Sequence, residues 1–358
     1  MIKKFTKRKK LRIDLRLLKF LSSLILVSLL IFINYSKNSY FLIYKDKVNN
    51  KNKVKDNKDK FEDKFKDNDK GKVFINQINH FNISVCFAAI GREENLYARE
   101  LIDYYLKIGI NKFFIGDDNL PNTEKLSDVL QDYIKNGIVE IIDIIGKNIS
   151  QEELYNMAFE RGKNYCNWMT FYDFDEYLTF NDPNMTMQSY LSFDTFNKCD
   201  VVKIHWLLYD DNDYVYYQNR PMIKRFTRPI RNSFDNLFHK SIVKVKNYNG
   251  KLWQIDLGPH QPKESLVNMC DAVGELANVR HGILGNPNYK YGHIKHFRMK
   301  TAEEFAKKIK RGHPMSHNLD FNELVDKFFK HNKFTKEKLQ VIEKILNRTY
   351  PKYYTFNN

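Results

Sequence analysis

The sequence predicts an α/β protein: a mainly parallel, Rossmann-like sheet flanked by helices, carried behind an N-terminal transmembrane helix and a stalk. Three observations predict it. From residue 83, apolar runs of strand length alternate with helical-period segments in the order strand, helix, strand, helix, strand, helix, strand. Several of those strands run into acidic or glycine-bearing turns, the edge at which open sheets bind ligands. Near the N-terminus, nine Lys and Arg residues between Lys3 and Lys19 lead into the apolar run Phe20 to Ile33.

Taken in order, residues 1–16 form a basic tail expected to stay in the cytoplasm, and 17–35 a signal anchor close to the lower length limit for one span. No small-residue cleavage site follows it, so the segment reads as retained, which gives a single-pass type II membrane protein. In a eukaryotic host the bulk of the chain would face the Golgi or another secretory lumen. Residues 36–78, rich in Lys, Asp and Asn, read as a disordered, charged stalk. The main domain is expected over 79–320, and 321–358 as a helical extension of one or two amphipathic helices.

The formal charge of +16 is unevenly spread. Residues 1–72 hold 21 basic against 8 acidic residues, and the remaining 286 hold 38 against 35. The folded part therefore lacks the basic surplus that nucleic-acid binding requires. Cys86, Cys166, Cys199 and Cys270 show no CxxC pairing, which argues against structural zinc. One or two disulfides are possible, with buried free thiols as good a reading for Cys86 and Cys166. Sequons at Asn82, Asn148, Asn184 and Asn347 permit a lumenal location.

Ile83 to Ile90 is the first strand, ending at Gly91. A helix with Leu101, Ile102 and Tyr105 on one face follows, stopped by Gly109. Asn111 to Ile115 is the next strand, leading to Asp117 and Asp118, and a helix from about Glu124 to Asn136 is closed by Gly137. The strand Ile138 to Ile145 and the helix Gln151 to Tyr165 bring the chain to its central stretch, NWMTFYDFDEYL, Asn167 to Leu178. Here a buried aromatic strand ends in Asp173, Asp175 and Glu176. In an extended segment Asp173 and Asp175 point the same way, and two like charges that close call for a cation between them. Mn²⁺ or Mg²⁺ takes such carboxylates together with substrate phosphates, so the pair reads as a metal site serving a diphosphate. Glu94, Asn95 and Asp117, at the same sheet edge, can hydrogen-bond a base or ribose.

The segments ENLYARELIDYYLKIGINKFFIGDDN and WMTFYDFDEYL, followed by HWLLYDDNDYVYYQNRPMIKRFTRP, HKSIV, GPH and HIKHFRMKTAEEFAKKIKRG, resemble the nucleotide-sugar-dependent glycosyltransferases of the A-type (GT-A) fold, family 92 and its bacterial relatives in particular. The resemblance covers about residues 83–312. It implies a metal-dependent sugar transferase, usually anchored by its N-terminus, that inverts the anomeric centre. It also implies that His296, in IKHF, completes the metal coordination begun by Asp173 and Asp175, and it brings Arg225 and Lys240 forward as diphosphate partners.

Val201 to Leu208 reads as another buried strand, ending in Asp210, Asp211, Asn212 and Asp213. Transfer to a hydroxyl needs a base nearby, and Asp211, with Asp210 beside it, is the expected one. Lys300, Lys307 and Arg311 can approach a diphosphate, although a helix face bearing Lys307, Lys308 and Lys310 is usually solvated. Thr301 and Glu304 stand in capping-box spacing ahead of a helix, Ala302 to Lys310. The expected activity is transfer of a sugar from a nucleotide-sugar, a UDP-sugar, to a glycan or glycoconjugate hydroxyl. The alternative is a membrane-tethered glycan-binding protein on a degenerate transferase scaffold.

Overall fold

Alternating side chains make the first strands of the sheet apolar on both faces, and a helix covers each face. The structure, a computed structural model, describes residues 83–350 apart from 247, 249, 255–257, 261, 264–266, 278–282 and 313–319. The expected tail, anchor and stalk and the sequon at Asn82 lie outside the described residues. Among the described residues no helix is long and apolar enough to cross a membrane.

Strand β1 (Val85–Gly91) runs into helix α1 (Asn95–Lys107), and β2 (Lys112–Asp117) follows. The single helix expected before Gly137 is two short ones, α2 (Leu126–Val129) and α3 (Gln131–Lys135), ahead of β3 (Val139–Asp143). Helix α4 (Gln151–Gly162) starts in a capping box in which Ser150 accepts from the Glu153 N–H, and it leads to β4 (Trp168–Phe171). Phe87 and Ala89 of β1 pack under Leu101, Ile102 and Tyr105 of α1, whereas Cys86 and Ala88 pack under Leu154, Tyr155, Ala158 and Phe159 of α4. One strand thus feeds two cores, as buried parallel strands do.

Past β4 the sequence expectation needs correction. The central stretch is two strands with a turn between them: β4 stops at Phe171, and β5 (Glu176–Phe180) starts again beyond Asp175. After α5 (Met187–Leu191) come β6 (Val201–Tyr209), α6 (Met222–Arg225), β7 (Pro229–Ile230), β8 (His239–Lys244), β9 (Met269–Cys270) and β10 (Gly292–His296). The sheet order is β3-β2-β1-β4-β8-β6-β10-β5, with β7 and β9 pairing β6. β3 to β4 are parallel, but β8 runs antiparallel between β4 and β6, and β5 runs antiparallel at the far edge. The sheet is therefore mixed, and Arg225 ends a helical turn, α6.

Helices α7 (Ala302–Lys310), α8 (Phe321–His331) and α9 (Lys336–Leu346) share a third core in which Phe305 meets Phe328, with Leu339 and Ile342 beside them. The segment expected as an extension is packed into the same unit as the sheet. All four cysteines are paired, Cys86 with Cys166 and Cys199 with Cys270, so the free-thiol reading of Cys86 and Cys166 gives way to two bridges.

Candidate active site

A cavity of about 520 Å³ opens at the carboxyl ends of β1, β2, β4 and β10. Gly91 lets the first loop approach the acidic turn. A Cβ there would stand 2.9 Å from the Phe174 ring and 3.0 Å from Leu126. Beyond it, Arg92 Nε donates to Asp118 Oδ2 at 2.8 Å, and both residues line the cavity with Asn148 and Ile149.

Asp173 and Asp175 both face this cavity, from the turn and not from an extended strand. Each is held by a different cation. Asp173 Oδ2 accepts from Lys240 Nζ at 2.8 Å and Oδ1 from Gln151 Nε2 at 2.7 Å. Lys240 is fully buried and also lies 3.3 Å from Glu176, whose other oxygen has no partner among the described residues. Burial raises the Glu176 carboxyl to about 8 against the pull of Lys240. Asp175 Oδ2 accepts from Lys308 Nζ at 2.7 Å, and its Oδ1 lies 3.6 Å from His296 Nε2. Burial alone would raise Asp175, but Lys308 and His296 hold it well below the usual carboxylate range. His296 is itself pushed down by burial, and Asp175 only partly offsets this, so it is a neutral imidazole.

Of the three predicted metal ligands, two stand together and the third apart. Asp175 and His296 come within reach of one ion, with an oxygen and an imidazole nitrogen facing each other. Asp173 stands on the same wall but is engaged by Lys240 and Gln151. Among the described residues no group of three or more His, Cys, Asp or Glu converges as a complete protein-only metal site does. A two-ligand set still fits Mn²⁺ or Mg²⁺, which bind through one or two protein groups plus substrate phosphate oxygens and water.

Of the predicted donor contacts, Glu94 lines the cavity, paired with Arg311 and, at 3.4 Å, with Lys300 Nζ. Lys300 is buried in the wall of a neighbouring cavity of about 700 Å³, its ammonium 3.8 Å above the Tyr97 ring. Asp117 and Asn95 are occupied by the protein. Asp117 accepts from the backbone N–H of Asn119 and Leu126, and Asn95 donates to Glu124 while accepting from Asn119. Arg225 is sealed in a bidentate pair with Glu304, which also accepts from the Tyr97 hydroxyl at 2.6 Å. It braces α1, α6 and α7 and lines neither cavity.

The predicted base is placed elsewhere. Asp211 is fully buried, its Oδ2 2.6 Å from Lys338 Nζ of α9 and its backbone N–H bonded to Asn332. Asp210 pairs with Arg228 at 3.0 Å. Neither lines the cavity. A carboxylate locked to a buried ammonium and closed off by two helices has no access to a substrate hydroxyl.

Residues the sequence reading did not single out complete the wall. Lys308 was read as part of a solvated helix face, yet it lies three residues after buried Phe305, on the inward stripe of α7. Arg298 lines the cavity and donates from Nη1 to Asp235 Oδ2 at 3.0 Å. Trp206 and His260 form a further wall, their rings 5.3 Å apart, and burial lowers His260 to about 3, with Lys240 adding to the effect. His260 stands in the GPH segment, which carried no periodic signal.

The sequence profile of the family described as Glycosyltransferase family 92 matches residues 81–350. No curated protein sequence matches the chain. Among solved structures, it is similar to S. aureus TarS 1–349, at 12% identity over 76% of this chain and 73% of that one, with a TM-score of 0.32. The same TarS fragment in complex with UDP-GlcNAc aligns at 10% identity over 74% of this chain and 72% of that one, with a TM-score of 0.33. The bifunctional glycosyltransferase WbbM aligns at 10% identity over 35% of this chain and 24% of its own, with a TM-score of 0.22.

Proposed function

The chain belongs to glycosyltransferase family 92, and from that premise we propose that it moves a sugar from a UDP-sugar to a glycan or glycoconjugate hydroxyl, with a divalent ion and inversion at the anomeric carbon. The observation that carries this reading is a single one. Two carboxylates on one turn face a cavity that Lys308, Arg298, Arg311 and Arg92 also line, together with the acids Glu94 and Asp118. Such a site suits a ligand that brings several negative charges and a metal, as a nucleoside diphosphate does.

In this reading Asp118, Asn148 and Ile149 receive the nucleoside end. Asp173, oriented by Gln151 and Lys240, accepts from a ribose or sugar hydroxyl. Arg298, Arg311 and Lys308 are preorganised beside Asp175 and His296 to bind the diphosphate oxygens, which spares reorganisation as negative charge grows on the leaving group. Mn²⁺, held by Asp175 and His296, would neutralise part of that charge. Lys308 is then shared between Asp175 and the phosphates. Inversion needs a proton acceptor near the attacking hydroxyl. We assign His260: it lines the cavity, and although burial lowers it to about 3, an arriving diphosphate makes it more basic.

The two bridges support an oxidising compartment for the domain, in line with a single-pass type II anchor and a lumenal catalytic unit. A screen of nucleotide-sugars for Mn²⁺-dependent hydrolysis tests the donor assignment. Turnover of a UDP-sugar that stops with chelator and returns with Mn²⁺ is expected. Equal turnover in chelator removes the metal, and no turnover of any nucleotide-sugar removes the donor.

A further inference from the structure

The turn Ser233–Phe238 carries an aromatic path from the cavity wall to the surface. Phe234 is 58% exposed at its outer end. Its ring stands 6.1 Å from that of half-buried Phe238, edge-on, and Phe238 in turn lies 5.6 Å from Trp206 and 6.4 Å from His260, both of which line the cavity. A single exposed phenyl is ordinary, but this one is fixed in place. Ser233 Oγ accepts from the Asp235 N–H, and buried Asn236 ties the turn to its neighbours, accepting from Leu208 N–H at 2.9 Å and donating to Ile230 O at 2.8 Å. Between the two rings, Asp235 holds Arg298 at 3.0 Å, with His331 Nε2 3.5 Å from the same oxygen.

We propose that Phe234, Asp235 and Phe238 form the acceptor subsite, and that its ligand is a pyranoside whose apolar C–H face lies on Phe234. The proposal rests on the transferase reading of the cavity. The face of a phenyl ring is electron-rich, and the C–H bonds on one face of a pyranose present a weakly positive surface to it. The Asp235 carboxylate, fixed by Arg298 and His331, offers an acceptor to a sugar hydroxyl. A sugar seated there lies at the outer end of the ring path that leads through Phe238 to Trp206 and His260 in the cavity wall. The subsite therefore explains how an acceptor reaches a base that lies inside the cavity.

Saturation-transfer NMR on the full-length chain in a non-glycosidic detergent tests it, with a panel of methyl α- and β-pyranosides of glucose, galactose, mannose and N-acetylglucosamine as probes. Ring C–H protons of at least one pyranoside should receive saturation. The signal should fall roughly threefold or more in Phe234→Ala and return in Phe234→Tyr. Thermal stabilisation by UDP with Mn²⁺ should be the same in all three proteins. The proposal is overturned if no pyranoside receives saturation, or if Phe234→Ala leaves the signal unchanged. A protein that ignores UDP yet loses its pyranoside signal with Phe234→Ala would sink the donor reading and leave the subsite standing.

Discussion

Two strands of this chain end in acidic turns that look alike in sequence, and the fold uses them in opposite ways. The turn after β4 carries Asp173 and Asp175; the turn after β6 carries Asp210, Asp211 and Asp213. In the first, the cations arrive from β8 and α7 and leave the carboxylates facing a cavity. In the second, Lys338 arrives from α9 and closes over Asp211, while Arg228 takes Asp210 and Asp213 at the surface. The same local chemistry becomes a site in one place and a fastening in the other. What decides is the element that covers the turn, which is distant in sequence in both cases.

Mutation of each turn should separate the two roles. Asp175→Asn is expected to lower turnover per folded molecule by about 10³-fold, since it removes a preorganised charge at the developing leaving group, and to lower the melting temperature as well, because it leaves the buried Lys308 ammonium without its carboxylate. Wild-type turnover in this variant would break the comparison at its catalytic end. Asp211→Ala should act on stability alone. Leaving the Lys338 ammonium buried and unpaired costs about 3–5 kcal/mol, read as a lower denaturation midpoint, while kcat per folded molecule stays near wild type. A normal midpoint with lost turnover would restore Asp211 as the base.

Reduction acts on the scaffold that holds both turns. Losing the Cys86–Cys166 bridge should cost about 2–4 kcal/mol and show as a reductant-dependent fall in melting temperature that becomes smaller when Cys86 and Cys166 are both replaced by Ala, the Cys199–Cys270 bridge remaining reducible. Acid tests the strands beneath the turns. Burial depresses His205 on β6 to about 4 and His260 to about 3, both below the ordinary 6.5. The native state therefore favours their neutral forms, and the unfolded chain binds more protons once pH drops below about 6.5. The imidazole contribution should be full above that pH and decline toward pH 4, while Glu176, raised to about 8, contributes with the opposite sign and loses its contribution as pH rises toward 8. A flat profile across this window would show that these imidazoles are not buried. Smallest of all, Arg228→Ala, which frees the exposed side of the β6 turn, should change stability by less than about 1 kcal/mol.

How much of this was legible in the sequence follows the same division. The parallel half of the sheet could be read from period alone, because each strand and its covering helix are adjacent in the chain. The interleaving of β8 between β4 and β6 and of β10 between β6 and β5 could not, since it depends on pairings across long separations. Asp173, Asp175 and His296 were singled out through an aromatic strand ending in acid and through family resemblance, and all three line the cavity. Lys308 was missed because a lysine among lysines on a helix resembles a solvated face, although its three-residue spacing from Phe305 marked the inward stripe. Asp211 was misplaced because nothing local shows that Lys338, 127 positions later, will cover it.

The Asp211–Lys338 contact also bears on how the protein can be shortened for work in solution. A fragment cut at residue 320 would lose Lys338 and Asn332 together and expose the inner side of α7, the helix that delivers Lys308 to Asp175. Recombinant versions should therefore be trimmed from the N-terminal side and kept through Tyr350, whose hydroxyl still bonds Asp326 on α8.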